Sequence, residues 1–216
     1  MFAAGRQSVE QGALRADVAV IGGGVSGLCA ALYLARGGAE VLLLEAGMIA
    51  GQGSSANAGT LALQNKRPPM LPFFIEGLEE WRRLAESLEF DIGYGRPGGL
   101  QVAETEADLA ALEDQAGRLR DHGIAVDWIE GPSLAARAPW LAPSVRAATA
   151  SDTDGYADPL RAGQALARAI CAAGGRIRTH APVVEASRQG TGYALAGPGG
   201  TVTCDSVVIA AGPWSA

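Results

Sequence analysis

The 216-residue chain is poor in the residues that hold metals, polyanions or disulfide frameworks. Lysine occurs once, as Lys66, and the arginines are scattered rather than striped. With 23 acidic against 17 basic residues the net charge is −6, whereas nucleic-acid partners demand a basic footprint; no nucleic acid is expected. The three cysteines, Cys29, Cys171 and Cys204, lie far apart among small or apolar neighbours. No Cys-x-x-Cys or Cys/His spacing points to zinc, and an odd count does not make a disulfide framework. His122 ends a predicted helix and His180 a predicted strand, and both read as structural. Asp152, Asp154 and Asp158 hint at calcium, but the central glycine and closing glutamate of such a loop are missing, so they read as a surface turn and no metal site is expected. No apolar run reaches membrane-spanning length, since glycines at 22–24 and 37–38 break the best candidate. Residues 1–16 lack the continuous apolar stretch of a secretory signal. A cytoplasmic location is expected, with peripheral attachment at the inner membrane face as the alternative.

Glycine, by contrast, is abundant: 30 residues, roughly twice the usual share. Residues 17–21 form a β-branched apolar run, the mark of a buried parallel strand. Three glycines follow, then residues 28–35, rich in Ala and Leu and therefore helix-forming, stopped by Gly37 and Gly38. Residues 41–44 are a second buried strand ending at Glu45. Strand, glycine turn, helix and strand make one βαβ unit that begins a parallel sheet. A small-residue loop at 51–59 comes next, and Pro68, Pro69 and Pro72 are expected to prevent regular structure directly after it. Leu78, Trp81, Leu84, Ala85 and Leu88 recur at helical spacing. Further on, residues 100–103 and 126–129 read as strands, Thr105 as the cap of a helix carrying Leu109, Leu112, Ala116 and Leu119, and residues 132–138 as a short helix. Trp128 and Trp140 read as core of this region. A helix over 159–173 and strands at 176–179, 183–187, 193–195, 202–204 and 206–210 complete the chain.

Gly22-x-Gly24-x-x-Gly27 carries the chemistry, because it follows a strand and opens a helix. The first glycine makes the tight turn, the second lets backbone approach a pyrophosphate, and the third lets helix and strand pack closely. Val25 and Ser26 open the helix, whose N–H groups and partial positive charge suit phosphates. Glu45, followed by Ala46, ends the next strand where a carboxylate accepts hydrogen bonds from ribose hydroxyls. Its replacement is expected to cost binding far more than folding. A lone glycine pattern is weak evidence; strand, helix and terminal acid in register point to dinucleotide binding.

The run from Asp17 to Gly47 resembles the FAD-binding start of the glutathione-reductase-like flavoproteins. Three further segments resemble the D-amino-acid oxidase/sarcosine oxidase superfamily: Gly53-Ser54-Ser55-Ala56-Asn57-Ala58-Gly59, Asp154-Gly155-Tyr156-Ala157-Asp158-Pro159, and Val207-Val208-Ile209-Ala210-Ala211-Gly212-Pro213-Trp214. The resemblance implies an α/β fold: a glutathione-reductase-like FAD-binding Rossmann domain from 16–89 and 151–216 with an inserted, incomplete α+β substrate domain at 90–150; residues 1–15 read from their composition as a disordered extension. It implies that Ser54, Ser55, Asn57, Ala58 and Gly59 pass under the ribityl chain and flavin, that Val183 or Val184 meets the adenine through backbone groups, and that Gly212 lets the last turn approach the cofactor. Asn57 stands where some relatives carry a histidine bonded to the flavin, so FAD is expected to be non-covalent. Lys66, with Asn65 and Arg67, follows this loop and is a lesser candidate for the active site.

Members of this superfamily are substantially longer, and their second half supplies the groups that hold the substrate carboxylate. The resemblance therefore implies a fragment, or one part of a split enzyme completed by a second chain or a missing C-terminal half, with no turnover by this chain alone and with catalytic residues unknown. The implied reaction is oxidation of the C–N bond of an amino acid or secondary amine, with oxygen or an electron carrier as final acceptor. Alternatives are an FAD-dependent 2-hydroxy-acid or polyol-phosphate dehydrogenase, and a non-catalytic FAD-binding piece or subunit.

Overall fold

The structure, a computed structural model, describes residues 14–215. Most of the extension expected at 1–15 lies outside the described residues, but Leu14 and Arg15 belong to the first strand. In chain order the elements are β1 (Leu14–Ile21), α1 (Val25–Arg36), β2 (Val41–Leu44), β3 (Thr60–Leu61), α2 (Leu71–Ser87), β4 (Gly99–Ala103), α3 (Glu106–Asp121), β5 (Asp127–Glu130), α4 (Gly131–Arg137), β6 (Ala147–Ser151), β7 (Gly155–Tyr156), α5 (Pro159–Ala172), β8 (Arg176–Arg178), β9 (Glu185–Gln189), β10 (Gly192–Gly197) and β11 (Gly200–Ile209). The contacts divide the chain into two compact units, residues 1–56 with 162–216, and residues 57–161. The second unit is wider on both sides than the 90–150 region marked in the sequence.

The first unit is built on a six-stranded sheet in the order β8-β2-β1-β11-β10-β9. β8, β2, β1 and β11 run parallel, while β10 and β9 continue the sheet antiparallel. All four residues of β2 are buried, as expected of a strand inside a parallel sheet with both faces covered. Helix α1 buries Leu28, Ala31, Leu32 and Ala35, the i, i+3, i+4, i+7 stripe of an amphipathic helix. Ala16, Ala19, Leu42, Leu44, Leu195, Val202 and Cys204 form one core cluster of this unit, and burial there pushes the Cys204 thiol up from its ordinary value. Residues 202–204 and 206–210, read from sequence as two strands, are one ten-residue strand ending at Ile209. It pairs with β1 on one edge and with β10 on the other, so a polar Asp205 in its middle does not interrupt it.

In the second unit a three-stranded sheet, β4-β6-β5, is antiparallel throughout, beside the short β3-β7 pair. β6, Ala-Ala-Thr-Ala-Ser, is completely buried, yet its residues are too small to announce a strand in the sequence. Helix α2 starts at Leu71, seven residues before the first apolar position read from sequence. Pro72 sits in its first turn, where the missing N–H has no intrahelical partner to lose, and residues Pro68–Met70 form a 3-10 turn ahead of it. The prolines thus shape the helix start rather than prevent it. Thr105 caps α3 with a capping box: its hydroxyl accepts from the Asp108 N–H while the Asp108 carboxylate accepts from the Thr105 N–H. The Thr105 hydroxyl also donates to the Asp108 carboxylate at 2.7 Å, and this bond, with that from the Thr105 N–H, holds the Asp108 carboxyl below its ordinary range.

Two other expectations fail in this unit. Trp140 is 73% exposed, so it is not core; Trp128 is half-buried and its indole N–H donates to Glu130 at 3.0 Å. Asp154 does not belong to a surface turn, because it is 4% exposed. Its Oδ1 accepts from the Leu63 N–H at 2.9 Å and its Oδ2 from the Gln64 amide at 3.0 Å. Gln64 in turn donates to the Gly99 carbonyl and accepts from the Thr149 hydroxyl. Asp158 is different again: Oδ1 accepts from the Leu160 and Arg161 N–H groups and so caps α5.

Asp154→Ala is expected to destabilise the second unit by about 1–3 kcal/mol for each donor left buried without an acceptor, whereas Asp152→Ala, at a largely solvated side chain, is expected to change little. Urea denaturation of both variants against wild type measures this; equal midpoints for Asp154→Ala and wild type would refute it.

Candidate functional site

The carboxyl ends of β1, β2 and β11 converge in the first unit and open onto a cavity of about 1220 Å³, larger than the roughly 300–1,000 Å³ of drug-sized sites. Ligands of open α/β sheets bind at this end of the strands. Of the residues singled out in the sequence, Gly22, Gly24, Val25, Ser26, Glu45, Ala46, Ser54, Val183, Val184 and Gly212 line the cavity. Gly27 does not, because it packs beneath the turn. Ser55 does not either; its hydroxyl turns back onto the Gln52 carbonyl at 3.0 Å. Asn57, Ala58 and Gly59 belong to the second unit, where the Asn57 Oδ1 accepts from the Gly59 N–H at 2.6 Å and the Gly59 carbonyl from the Ala157 N–H at 3.0 Å. Lys66 is in the same unit, its ammonium 4.8 Å from the Phe74 ring centroid.

The glycine turn is built by close backbone approach. A Cβ on Gly22 would stand 2.4 Å from the Ala210 carbonyl oxygen, and one on Gly27 2.0 Å from the Gly22 carbonyl oxygen. Gly22 also has φ +107°, a conformation that side chains disfavour. Helix α1 begins directly after, with Gly24 as a cap that has no side chain and with no acidic residue in the first turn. Its positive end is therefore not neutralised from within the helix. The Ser54 hydroxyl approaches from the 51–55 loop and accepts from the Val25 N–H at 2.9 Å. Glycine where a Cβ would clash, N–H groups at a helix start and an adjacent hydroxyl are the donor set of a pyrophosphate cradle. A dinucleotide cofactor fits it.

Glu45 does more than the sequence suggested. Its Oε2 accepts from the Gly23 N–H at 2.6 Å and its Oε1 from the Gly47 N–H at 2.7 Å. Each oxygen retains acceptor capacity, since an ionised carboxylate offers about four lone-pair sites. The carboxylate thus holds the glycine turn and the segment after β2 in place and still faces the cavity. Val183 and Val184 precede β9 rather than beginning it, and the Val184 N–H already donates to the Ala196 carbonyl at 2.9 Å; a backbone contact to a ligand there would fall to other groups of the pair.

The sequence reading missed several lining residues, among them Gly23, Met48, Gln52, Pro182, Ile209 and Trp214. Gly23 had a signal, as the middle one of three consecutive glycines. Met48, Ile209 and Trp214 are more than half exposed because they wall an open cavity, and an exposed apolar residue looks like any other in a sequence. His180 lies beyond β8 with φ +53° and donates its backbone N–H to the Gly47 carbonyl. Among the described residues no group of acidic, His and Cys side chains is placed to hold a metal ion, and no helix is long and apolar enough to cross a membrane.

Comparison with known proteins gives one family and consistent relatives. A family model described as FAD dependent oxidoreductase matches residues 17–216. The chain is 30% identical over 210 residues to a glycine oxidase of Geobacillus kaustophilus, covering 94% of this chain and 56% of that protein. It is 28% identical over 207 residues to an opine oxidase subunit of Rhizobium meliloti, covering 91% and 56%. The crystal structure of glycine oxidase from Geobacillus kaustophilus superposes with a TM-score of 0.87 at 29% identity, covering 94% of this chain and 56% of that one. The chain spans little more than half the length of these relatives.

Glu45→Ala removes the acceptor for two backbone N–H groups as well as the cavity's carboxylate. The expected result is loss of bound dinucleotide together with a drop in stability of about 1–3 kcal/mol. Cofactor content and the denaturation midpoint of the cofactor-free protein measure the two effects separately. A variant with wild-type cofactor content would remove Glu45 from the site.

Proposed function

The chain belongs to the family of FAD-dependent oxidoreductases, and on that premise we propose that it holds FAD non-covalently in the first unit and serves an enzyme that oxidises the C–N bond of an amino acid or secondary amine. The observation that carries the reading is the glycine turn of Gly22 and Gly27, closed so tightly that no Cβ fits, at the mouth of a dinucleotide-sized cavity. Ser26 and Ser54 would hold the pyrophosphate beside the Val25 N–H that the Ser54 hydroxyl already occupies, Glu45 the adenosine ribose, and the backbone of Val183 or Val184 the adenine. Gly212, with φ +57° and open space where a Cβ would stand, lets the last turn lie along the ligand. The second unit is proposed as part of the substrate-binding portion.

When bound, FAD supplies a two-electron acceptor that takes hydride from the carbon beside nitrogen. The protein's share is to fix the cofactor, to orient that carbon, and to keep water away. Ser26, Ser54 and Glu45 would carry the first of these tasks. Relatives named for glycine and for opines support the substrate class, and the second, named as a subunit, supports a partner chain. Oxygen or an electron carrier would be the final acceptor.

The purified protein is expected to be yellow and to release its flavin on acid precipitation, because no residue of the 53–59 loop is a histidine or cysteine able to bond it. Flavin retained in the pellet would contradict non-covalent binding. In an enzyme that contains this chain together with any further portion or partner chain it needs, a dye-linked assay should show faster turnover of glycine, sarcosine, proline or D-amino acids than of 2-hydroxy acids or glycerol 3-phosphate; the reverse order would reject the C–N reading while leaving FAD binding intact.

A further inference from the structure

Ala50 has φ +53° and is almost completely buried. An L residue adopts this left-handed conformation only where surrounding structure enforces it, and such positions gather at functional sites. Two contacts surround Ala50 here. Its N–H donates to the Gly23 carbonyl at 2.9 Å, and its side chain faces Gly163 in the second turn of α5, where a Cβ would lie only 2.5 Å from the Ala50 Cβ. Gly163 is buried and lies in the body of a helix, where glycine is disfavoured relative to alanine. Its presence is explained by the space that Ala50 takes.

Gly23 is thereby gripped on both sides by one short loop. Its N–H donates to the Glu45 carboxylate and its carbonyl accepts from Ala50. The peptide planes flanking Gly23 cannot rotate freely, and the next N–H groups of the turn and of α1 follow from their orientation.

We propose that Ala50 and Gly163 are a matched pair of positioning residues: Gly163 of α5 leaves room for Ala50, and Ala50 fixes the Gly23 carbonyl, so that the pyrophosphate cradle is formed before the dinucleotide arrives. The proposal rests on the reading that this cavity takes FAD. Neither residue donates a hydrogen bond from its side chain to a ligand; the pair acts through Gly23. Pre-organisation of this kind raises affinity by removing the cost of ordering the site on binding.

The experiment compares wild type, Gly163→Ala and the double variant Gly163→Ala/Ala50→Gly, in which the added methyl group occupies the space that the Ala50 methyl vacates. In Gly163→Ala the two methyl groups collide and the 45–51 loop must shift. Amide exchange at Gly23 and Gly47, read by NMR on cofactor-free protein, should be faster than in wild type, and the dissociation constants for FAD and for ADP should both rise by about tenfold, because the lost pre-organisation lies at the pyrophosphate cradle. In the double variant exchange should return to wild-type behaviour, and both constants to within about threefold, as coupled neighbours do. Unchanged affinity in Gly163→Ala, or a double variant no better than the single one, would overturn the proposal. So would weakened affinity without faster exchange at Gly23, since the effect would then not run through that residue. A thermal midpoint that falls while affinity and exchange stay at wild-type values would assign Gly163 to helix packing alone and likewise reject it. Should wild type bind ADP but not FAD, the FAD reading fails while the pair's action on the cradle is still read out through ADP.

Discussion

At the carboxyl ends of the central strands, backbone meets backbone with no side chain between. The Ala210 N–H donates to the Ile21 carbonyl at 2.7 Å and the Gly22 N–H to the Leu44 carbonyl at 2.8 Å, so the ends of β1, β2 and β11 are tied to one another through main-chain atoms. Gly22 lies against the Ala210 carbonyl and Gly27 against the Gly22 carbonyl at distances that exclude even a methyl group. Any side chain there would push helix α1 off the sheet. Because the approach is so close, the helix starts at the strand tips and directs its N-terminal end into the cavity.

That constraint explains why the neighbouring loop is built as it is. A turn made of glycines has little intrinsic preference for one conformation, so something else must hold it. Glu45 supplies part of the restraint from the end of β2, and Ala50, in a conformation that itself needs support, supplies the rest. Ser54 occupies the Val25 N–H from a third direction. The fold thus places flexible residues where a ligand must come close and rigid contacts around them, which is how a mobile sequence becomes a defined cradle. The same carboxylate that lines the cavity also fixes the glycine turn and the segment after β2.

The second unit solves a different problem. Its central strand β6 consists of small residues buried on both sides, which give little apolar area to hold a sheet together. A polar network compensates: Asp154, Gln64 and Thr149, each less than 5% exposed, bond one another, the Leu63 N–H and the Gly99 carbonyl. Every member is paired, so the network stabilises a specific arrangement of the 61–64 segment, β4 and β6 rather than burying an uncompensated charge. Two apolar clusters, one around Leu71, Leu119 and Ile124 and one around Ile129 and Ala148, complete this unit.

The βαβ unit, the glycine fingerprint, the acid at the end of β2 and the family resemblance were legible in the sequence, because each rests on local spacing: a strand, a tight turn and a helix start are decided within about thirty residues of one another. Local pattern likewise disclosed the Thr105 cap and the α3 stripe. Tertiary structure alone decided whatever depends on neighbours distant in the chain. Residues 200–209 became one strand because β1 and β10 flank it. Asp154 became a buried acceptor because Leu63 and Gln64 reach it from about ninety residues away, and Trp140 was left 73% exposed because no element among the described residues covers it. The link between Ala50 and Gly163 is of the same kind: in the sequence an alanine in a loop and a glycine in a helix are unremarked, and only the close packing of α5 against the 45–51 loop makes one the condition of the other.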